Sequence, residues 1–109
     1  MSFSVLYTRN FLKEAKRLAK KYISLKIDIA NLIESLEQDP TQGVSLGKSC
    51  YKIRMGITSK GKGKSGGSRV VTCVFIAETE VHLLTIYDKS DKEDISDKEL
   101  KILLDKVGF

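Results

Sequence analysis

The sequence predicts an α+β fold: a twisted, mainly antiparallel sheet with an N-terminal helical hairpin packed on one face and a short C-terminal helix. Two observations carry the prediction. Apolar residues recur with a helical period in two segments before residue 40 and in one at the end, and they alternate or run as β-rich stretches in three segments after residue 49. Stripes on two adjacent helices need a shared apolar partner, and the strands supply it.

Phe3 to Tyr7 alternates apolar and small polar residues, as a short strand does. From Phe11 the period turns helical. Phe11, Ala15, Leu18, Ala19 and Tyr22 share one face, and Lys13, Lys16, Arg17, Lys20 and Lys21 form a basic back that reads as a solvated surface. The second helix runs from Leu25 to Gln38 on a stripe of Leu25, Ile29, Leu32, Ile33 and Leu36, and Asp39-Pro40 ends it, because proline expels the preceding residue from helical backbone. The link at Ile23 and Ser24 is short, so an antiparallel hairpin is expected.

Thr41 to Ser49, with Gly43 and Gly47, reads as a loop. Cys50 to Ile57 alternates, with Tyr51, Ile53, Met55 and Ile57 on the inward face and Lys52, Arg54 and Gly56 on the other. Arg69 to Ala77 and Glu80 to Tyr87 read as two further strands joined near Glu78 and Thr79 in an antiparallel hairpin. Asp88 to Ile95 is a polar loop. Ser96-Asp97-Lys98-Glu99 has capping-box spacing and opens a helix carrying Leu100, Leu103, Leu104 and Val107. Without repeats or an internal linker, residues 1–109 are expected to form a single domain.

Composition narrows the function. With 41% hydrophobic residues spread along the chain, disorder is not expected. No apolar run of membrane-spanning length and no signal-peptide pattern occurs, so a soluble cytoplasmic protein without membrane association is expected. Cys50, Cys73 and His82 are too widely spaced for a metal site, and neither metal nor cofactor is expected. His82 lies inside the apolar run Val81 to Ile86, which suits a strand residue better than a catalytic one. The only P-loop-like stretch, Gly56 to Lys62, lacks the hydroxyl residue after its lysine and leads into a strand, so it does not suit nucleotide hydrolysis.

Charge is distributed unevenly. Residues 1–39 carry a net +2 and residues 78–109 a net −4, whereas residues 40–77 hold seven basic groups and no acid. A stretch of one sign reads as an anion-binding face, with nucleic acid the leading partner. If the strands flanking Ser59-Lys60-Gly61-Lys62-Gly63-Lys64 are neighbours, Lys52, Arg54 and Arg69 approach one sheet face with the loop lysines at its end. Lys48, Lys60, Lys62 and Lys64 are then RNA-binding candidates, the last three on a mobile loop, and Tyr87 and Lys89 add a stacking ring and another cation.

Tyr51-Lys52-Ile53-Arg54, the lysine and glycine loop leading to Arg69-Val70-Val71, and Leu83-Leu84-Thr85-Ile86-Tyr87-Asp88-Lys89 together resemble the HigB-type branch of the RelE/ParE toxin superfamily. The resemblance implies a RelE-like fold and a bacterial type II toxin: a metal-independent, ribosome-dependent mRNA endoribonuclease held inactive by a cognate antitoxin. It also implies attack of a ribose 2′-hydroxyl on the adjacent phosphodiester, with catalytic candidates Lys52, Arg54, Arg69, Tyr87 and Lys89. In that scheme Arg69 stabilises charge developing on phosphorus, and Lys52 or Arg54 orients the phosphate or lowers the 2′-hydroxyl pKa. The chain departs from the RelE pattern at Ser90, where a second arginine is usual, and at Ser96, near the family's later tyrosine. ParE-type members inhibit DNA gyrase without such a catalytic set, and a non-catalytic RNA-binding module is a third reading.

Overall fold

A computed structural model describes residues 2–61 and 63–107. Strand β1 (Ser4–Tyr7) is followed by helices α1 (Arg9–Ala19) and α2 (Leu25–Gln38). Strands β2 (Val44–Gly47), β3 (Cys50–Met55), β4 (Ser68–Phe75) and β5 (Glu80–Asp88) come next, and helix α3 (Asp97–Val107) closes the order. The five strands form one sheet in the order β1-β5-β4-β3-β2. β1 runs parallel to β5, and every other pair is antiparallel.

The expected face of the sheet receives the helical hairpin. Phe11, Leu18, Leu25, Leu32 and Leu36 pack on Ile53, Met55, Ile57, Val70, Val74, Val81, Leu83 and Ile86, all buried. Burial of this size drives the assembly, since each fully buried aliphatic or aromatic side chain contributes about 1.5–3 kcal/mol. The opposite face is covered over part of its length by α3, whose Leu100 and Leu104 pack on Cys50, Val71, Cys73, Leu84 and Tyr87. Cys50 and Cys73 are free thiols, buried and directly opposite each other on β3 and β4.

The N-terminus of α1 is welded to the sheet. The Thr8 hydroxyl accepts the Phe11 N–H at 3.2 Å and lies 3.1 Å from the Leu83 carbonyl, to which it can donate. The Asn10 amide donates to the Leu84 carbonyl at 3.1 Å. At the other end α1 stops at Ala19, earlier than the stripe through Tyr22 suggests, and Lys21 and Tyr22 both donate their backbone N–H to the Leu18 carbonyl. The turn that results sends the Tyr22 phenol to Asp88 on β5. α3 begins with the expected box: the Glu99 N–H donates to the Ser96 hydroxyl at 3.1 Å, and Glu99 accepts the Ser96 N–H in return.

Two features were not expected. The segment read as a loop over Thr41 to Ser49 contains β2, which pairs Val44 with Lys52 and Ser45 with Tyr51. Its four residues, Val44-Ser45-Leu46-Gly47, are mostly exposed and too few between glycines to stand out as a strand, so the strand exists by pairing with β3. The second feature is a bulge in β5. Val71 pairs with Thr85 but the next residue, Thr72, pairs with Leu83, which leaves Leu84 as an extra residue. One inserted residue reverses the alternation. Leu83 and Ile86 therefore face the hairpin, while Leu84 and Tyr87 face α3.

Gly67 sets the entry to β4. A Cβ there would lie 2.6 Å from the Met55 carbonyl oxygen and 2.9 Å from both Gly56 Cα and Ile57 N. All three are backbone atoms, so no side chain can swing away. Gly67→Ala is expected to cost about 1–3 kcal/mol through overpacking, seen as a thermal midpoint lowered by roughly 4–8 °C per kcal/mol. An unchanged midpoint in a circular dichroism melt would mean that β3 and β4 can separate here freely.

Candidate active site

On the face not covered by the hairpin, β3 and β4 set Arg54 directly opposite Arg69, with Lys52 opposite Val71 two residues along. Residues two apart on a strand share a face, so the pairing places three cations together. Beyond the end of α3 they form the floor of a cleft of about 300 Å³ lined by Val44, Lys52, Arg54, Arg69, Lys89, Glu93 and Asp94. Arg54 is exposed, and Lys52 and Lys89 are half-buried.

Arg69 differs from the others in being only 4% exposed. Its Nη1 donates to the carbonyls of Lys64 and Ser68 at 3.0 and 3.1 Å, and its Nη2 donates to the Ser65 carbonyl at 3.3 Å. A guanidinium has five N–H donors, so two remain for a ligand. These bonds hold the guanidinium, and among the described residues no acid forms an ion pair with it. Such a group is rigid, cationic and aimed, the combination that suits transition-state stabilisation. The glycine-rich loop consequently has a further role: its carbonyls orient the arginine.

The remaining residues singled out from the sequence are spread more widely. Lys64 is exposed on the loop beside Arg69, and Lys62 lies outside the described residues. Lys60 corrects the expectation of a mobile lysine. It ends a single 3₁₀ turn (Thr58–Lys60), and its ammonium donates to Asp88 Oδ1 and to the Ser90 hydroxyl, both at 2.7 Å. Its side chain is 9% exposed, so its charge is internally matched. Lys48 sits in the turn between β2 and β3, at the other end of β3 from Arg54. It lines a separate cavity with Ser49, Lys101, Leu104 and Asp105.

Tyr87 lies directly opposite Arg69 on β5 but is 5% exposed, with Lys92 Nζ 5.4 Å from its ring centroid. This corrects the expectation of an open stacking ring: the bulge in β5 turns Tyr87 under α3 and the loop before it. Burial pushes its phenol up to about 12, helped by the charge of Asp94 and opposed by that of Arg69. Its hydroxyl is buried without a hydrogen-bond partner among the described residues. His82 lies farther along β5, with Nε2 3.1 Å from Glu80 Oε1 and the Phe75 ring against it, away from the cleft.

Three acids that the sequence reading passed over shape the site. Asp88, fully buried, accepts from the Tyr22 hydroxyl at 2.5 Å, from Lys60 at 2.7 Å and from the Ser90 N–H at 2.9 Å. Burial alone would raise its pKa, but these donors outweigh burial and hold the carboxyl well below the usual range. Asp94 Oδ1 accepts from Lys52 Nζ at 2.9 Å, and that bond, with the Ile95 N–H and the charges of Lys52 and Arg69, lowers its pKa too. Glu93 lines the same cleft. The signal for all three was the acidic C-terminal third: with one third uniformly basic, the acids were bound to meet it.

Among the described residues no group of three or more His, Cys, Asp or Glu side chains is arranged to hold a metal ion. No helix among them is long and apolar enough to cross a membrane.

Residues 4–107 match the family model for the RelE toxin of the RelE/RelB toxin-antitoxin system. Similar solved structures include a mutant of the E. coli toxin RelE in the free state, with a TM-score of 0.62 and 17% identity, covering 85% of this chain and 90% of that one. The toxin-antitoxin complex RelBE2 from Mycobacterium tuberculosis gives a TM-score of 0.59 and 13% identity, covering 84% of this chain and 95% of that one. The intact E. coli RelBE toxin-antitoxin complex gives 0.51 and 19%, covering 80% and 96%. At these identities the likeness is one of fold.

Proposed function

Because the chain belongs to the RelE toxin family of RelE/RelB toxin-antitoxin systems, we propose that it is a ribosome-dependent mRNA endoribonuclease of the HigB-type branch, neutralised by a RelB-type antitoxin. The observation that carries the reading is the buried guanidinium of Arg69, fixed by loop carbonyls beside Lys52, Arg54 and Lys89 in one cleft. The branch assignment is supported by the motifs Tyr51-Lys52-Ile53-Arg54 and Leu83 to Lys89 and by the lysine and glycine loop between them. The antitoxin partner is supported by the complexes in which the M. tuberculosis and E. coli relatives occur.

In the proposed reaction a ribose 2′-hydroxyl gives its proton to water as its oxygen attacks the adjacent phosphorus, and the bond from phosphorus to the 5′-oxygen breaks as that oxygen takes up a proton. The products are a 2′,3′-cyclic phosphate and a 5′-hydroxyl. Negative charge gathers on the non-bridging oxygens as the fifth bond forms. Arg69, preorganised and shielded from water, stabilises that charge with its two remaining donors. Lys52 and Arg54 hold the scissile phosphate in line, and Lys89 and Lys64 attract the backbone on either side. Tyr87 is protonated at neutral pH and so is available as a proton donor to the leaving oxygen once the segment above it moves.

Primer extension on a translating mRNA tests the proposal. New 5′ ends are expected only when purified protein and ribosomes are both present. Absence of new ends, together with inhibition of DNA gyrase supercoiling, would overturn it in favour of the ParE-like activity. Binding of RNA without new ends would leave a non-catalytic module.

A further inference from the structure

The basic cleft contains two acids, and both come from the segment between β5 and α3. That segment is fastened by backbone hydrogen bonds at each end, and between them it is held by side-chain contacts. At the start the Lys89 N–H donates to the Gly67 carbonyl at 3.0 Å, and Asp91 and Lys92 donate their N–H groups to the Asp88 carbonyl. At the far end Ser96 and Glu99 close the cap of α3. Between them one contact faces the cleft and two lie beside the separate cavity that Tyr87, Lys92 and Glu99 line. Asp94 Oδ1 accepts from Lys52 at 2.9 Å, Lys92 forms an ion pair with Glu99, and Lys92 Nζ stands 5.4 Å from the centre of the Tyr87 ring. The side chain of Asp94 is 62% exposed and that of Lys52 is 22% exposed.

We propose that residues 89–95 form a gate over the cleft, in which the Asp94 carboxylate occupies, on Lys52, the seat of an RNA phosphate and is displaced when RNA enters. This rests on the reading of the cleft as an RNA site and concerns how that site is regulated.

Chemistry favours an exchange. A carboxylate and a phosphodiester each offer two oxygens sharing one negative charge, so an ammonium that holds one can hold the other. The Lys52–Asp94 contact is largely solvated on the acid's side, and pairs of this kind are worth about 0.2–1 kcal/mol. It is strong enough to bias the segment shut and weak enough for a polyanion to open it. Lifting the segment frees Lys52, so the resting protein keeps that cation covered until a nucleic acid pulls the acid away.

A double-mutant cycle on the full chain tests the gate. The probe is a short single-stranded RNA with 2′-O-methyl groups, which cannot be cut by 2′-hydroxyl attack, and affinity is read by fluorescence anisotropy at low salt. Asp94→Asn is expected to bind the probe about 2- to 5-fold more tightly than wild type. Glu93→Gln removes the same charge from the same segment without touching Lys52 and is expected to gain less. In a Lys52→Met background the gain from Asp94→Asn is expected to vanish. Equal gains from both acid variants, or a gain that persists without Lys52, would reduce the effect to net charge and overturn the gate. Wild-type binding with no gain from Asp94→Asn would overturn the gate and leave the RNA site standing. No binding of the probe by any of the proteins would overturn both.

Discussion

Arg69→Ala is expected to slow single-turnover cleavage on saturating ribosomes by about 100-fold or more, the scale for losing one preorganised electrostatic stabiliser. The expectation follows from how the side chain is held. Three carbonyl bonds fix the guanidinium before any substrate arrives, so little is spent on ordering it in the transition state. Association with ribosomes should be mostly retained, because Lys52, Arg54, Lys64 and Lys89 still present positive charge. Arg69→Lys should recover little, since an ammonium cannot bridge the Lys64 and Ser65 carbonyls and still reach a phosphate with two donors. Single-turnover rates that survive Arg69→Ala unchanged would remove Arg69 from the chemistry.

Asp88→Asn is expected to lower unfolding free energy at neutral pH by about 3–5 kcal/mol, the range for breaking a buried ion pair from one side. Asn leaves the Lys60 ammonium, nine-tenths buried, without its counter-charge, and weakens the Tyr22 bond that holds the turn after α1. The pH dependence has a definite sign. The folded-state pKa of Asp88 is depressed, so its stabilisation is complete above the ordinary Asp value of about 4 and is lost as pH falls toward the lower folded value. Urea midpoints for wild type and Asp88→Asn should therefore differ widely at pH 7 and draw together progressively as pH falls below the ordinary Asp value. Equal midpoints at pH 7 would show that Lys60 finds water or another acid.

Most of the fold was legible because each element carries its own periodicity. The inward stripe of Ile53, Met55 and Ile57 was readable from alternation, and the stripes of α1 and α2 from helical spacing. What escaped depends on partners distant in sequence. β2 alternates over only four residues between glycines and takes its conformation from pairing with β3. The Leu84 bulge looks in sequence like an ordinary β-rich run, yet it decides that Tyr87 faces α3 and not the helical hairpin. The shared face of Lys52, Arg54 and Arg69 followed from the sequence only on the condition that their strands are neighbours, which the register of β3 and β4 meets. Lys60 was misjudged for the opposite reason. Alternating glycines suggested free motion, while Asp88 and Ser90, some thirty residues on, supply a specific acceptor for its charge.

The parallel pairing of β1 with β5 has a consequence for the order in which the protein is built. Ser4 meets Glu80, and Tyr7 meets Leu83, so the first strand emerging from a ribosome finds its partner only after nearly the whole sheet has been translated. At about 5–20 residues per second that wait is roughly 4–15 s. During it the stripe of α1 has no β5 to cover, because Val81, Leu83 and Ile86 arrive with the same late strand. β3 and β4 can form their hairpin early, and with it the meeting of Arg54 and Arg69. Tyr87, Asp88, Lys89 and Asp94 come last. A nascent chain therefore carries the arginines of the cleft before it has the strand that buries Lys60, seats the helical hairpin and delivers the acid onto Lys52, and the site is completed in one late, cooperative closure.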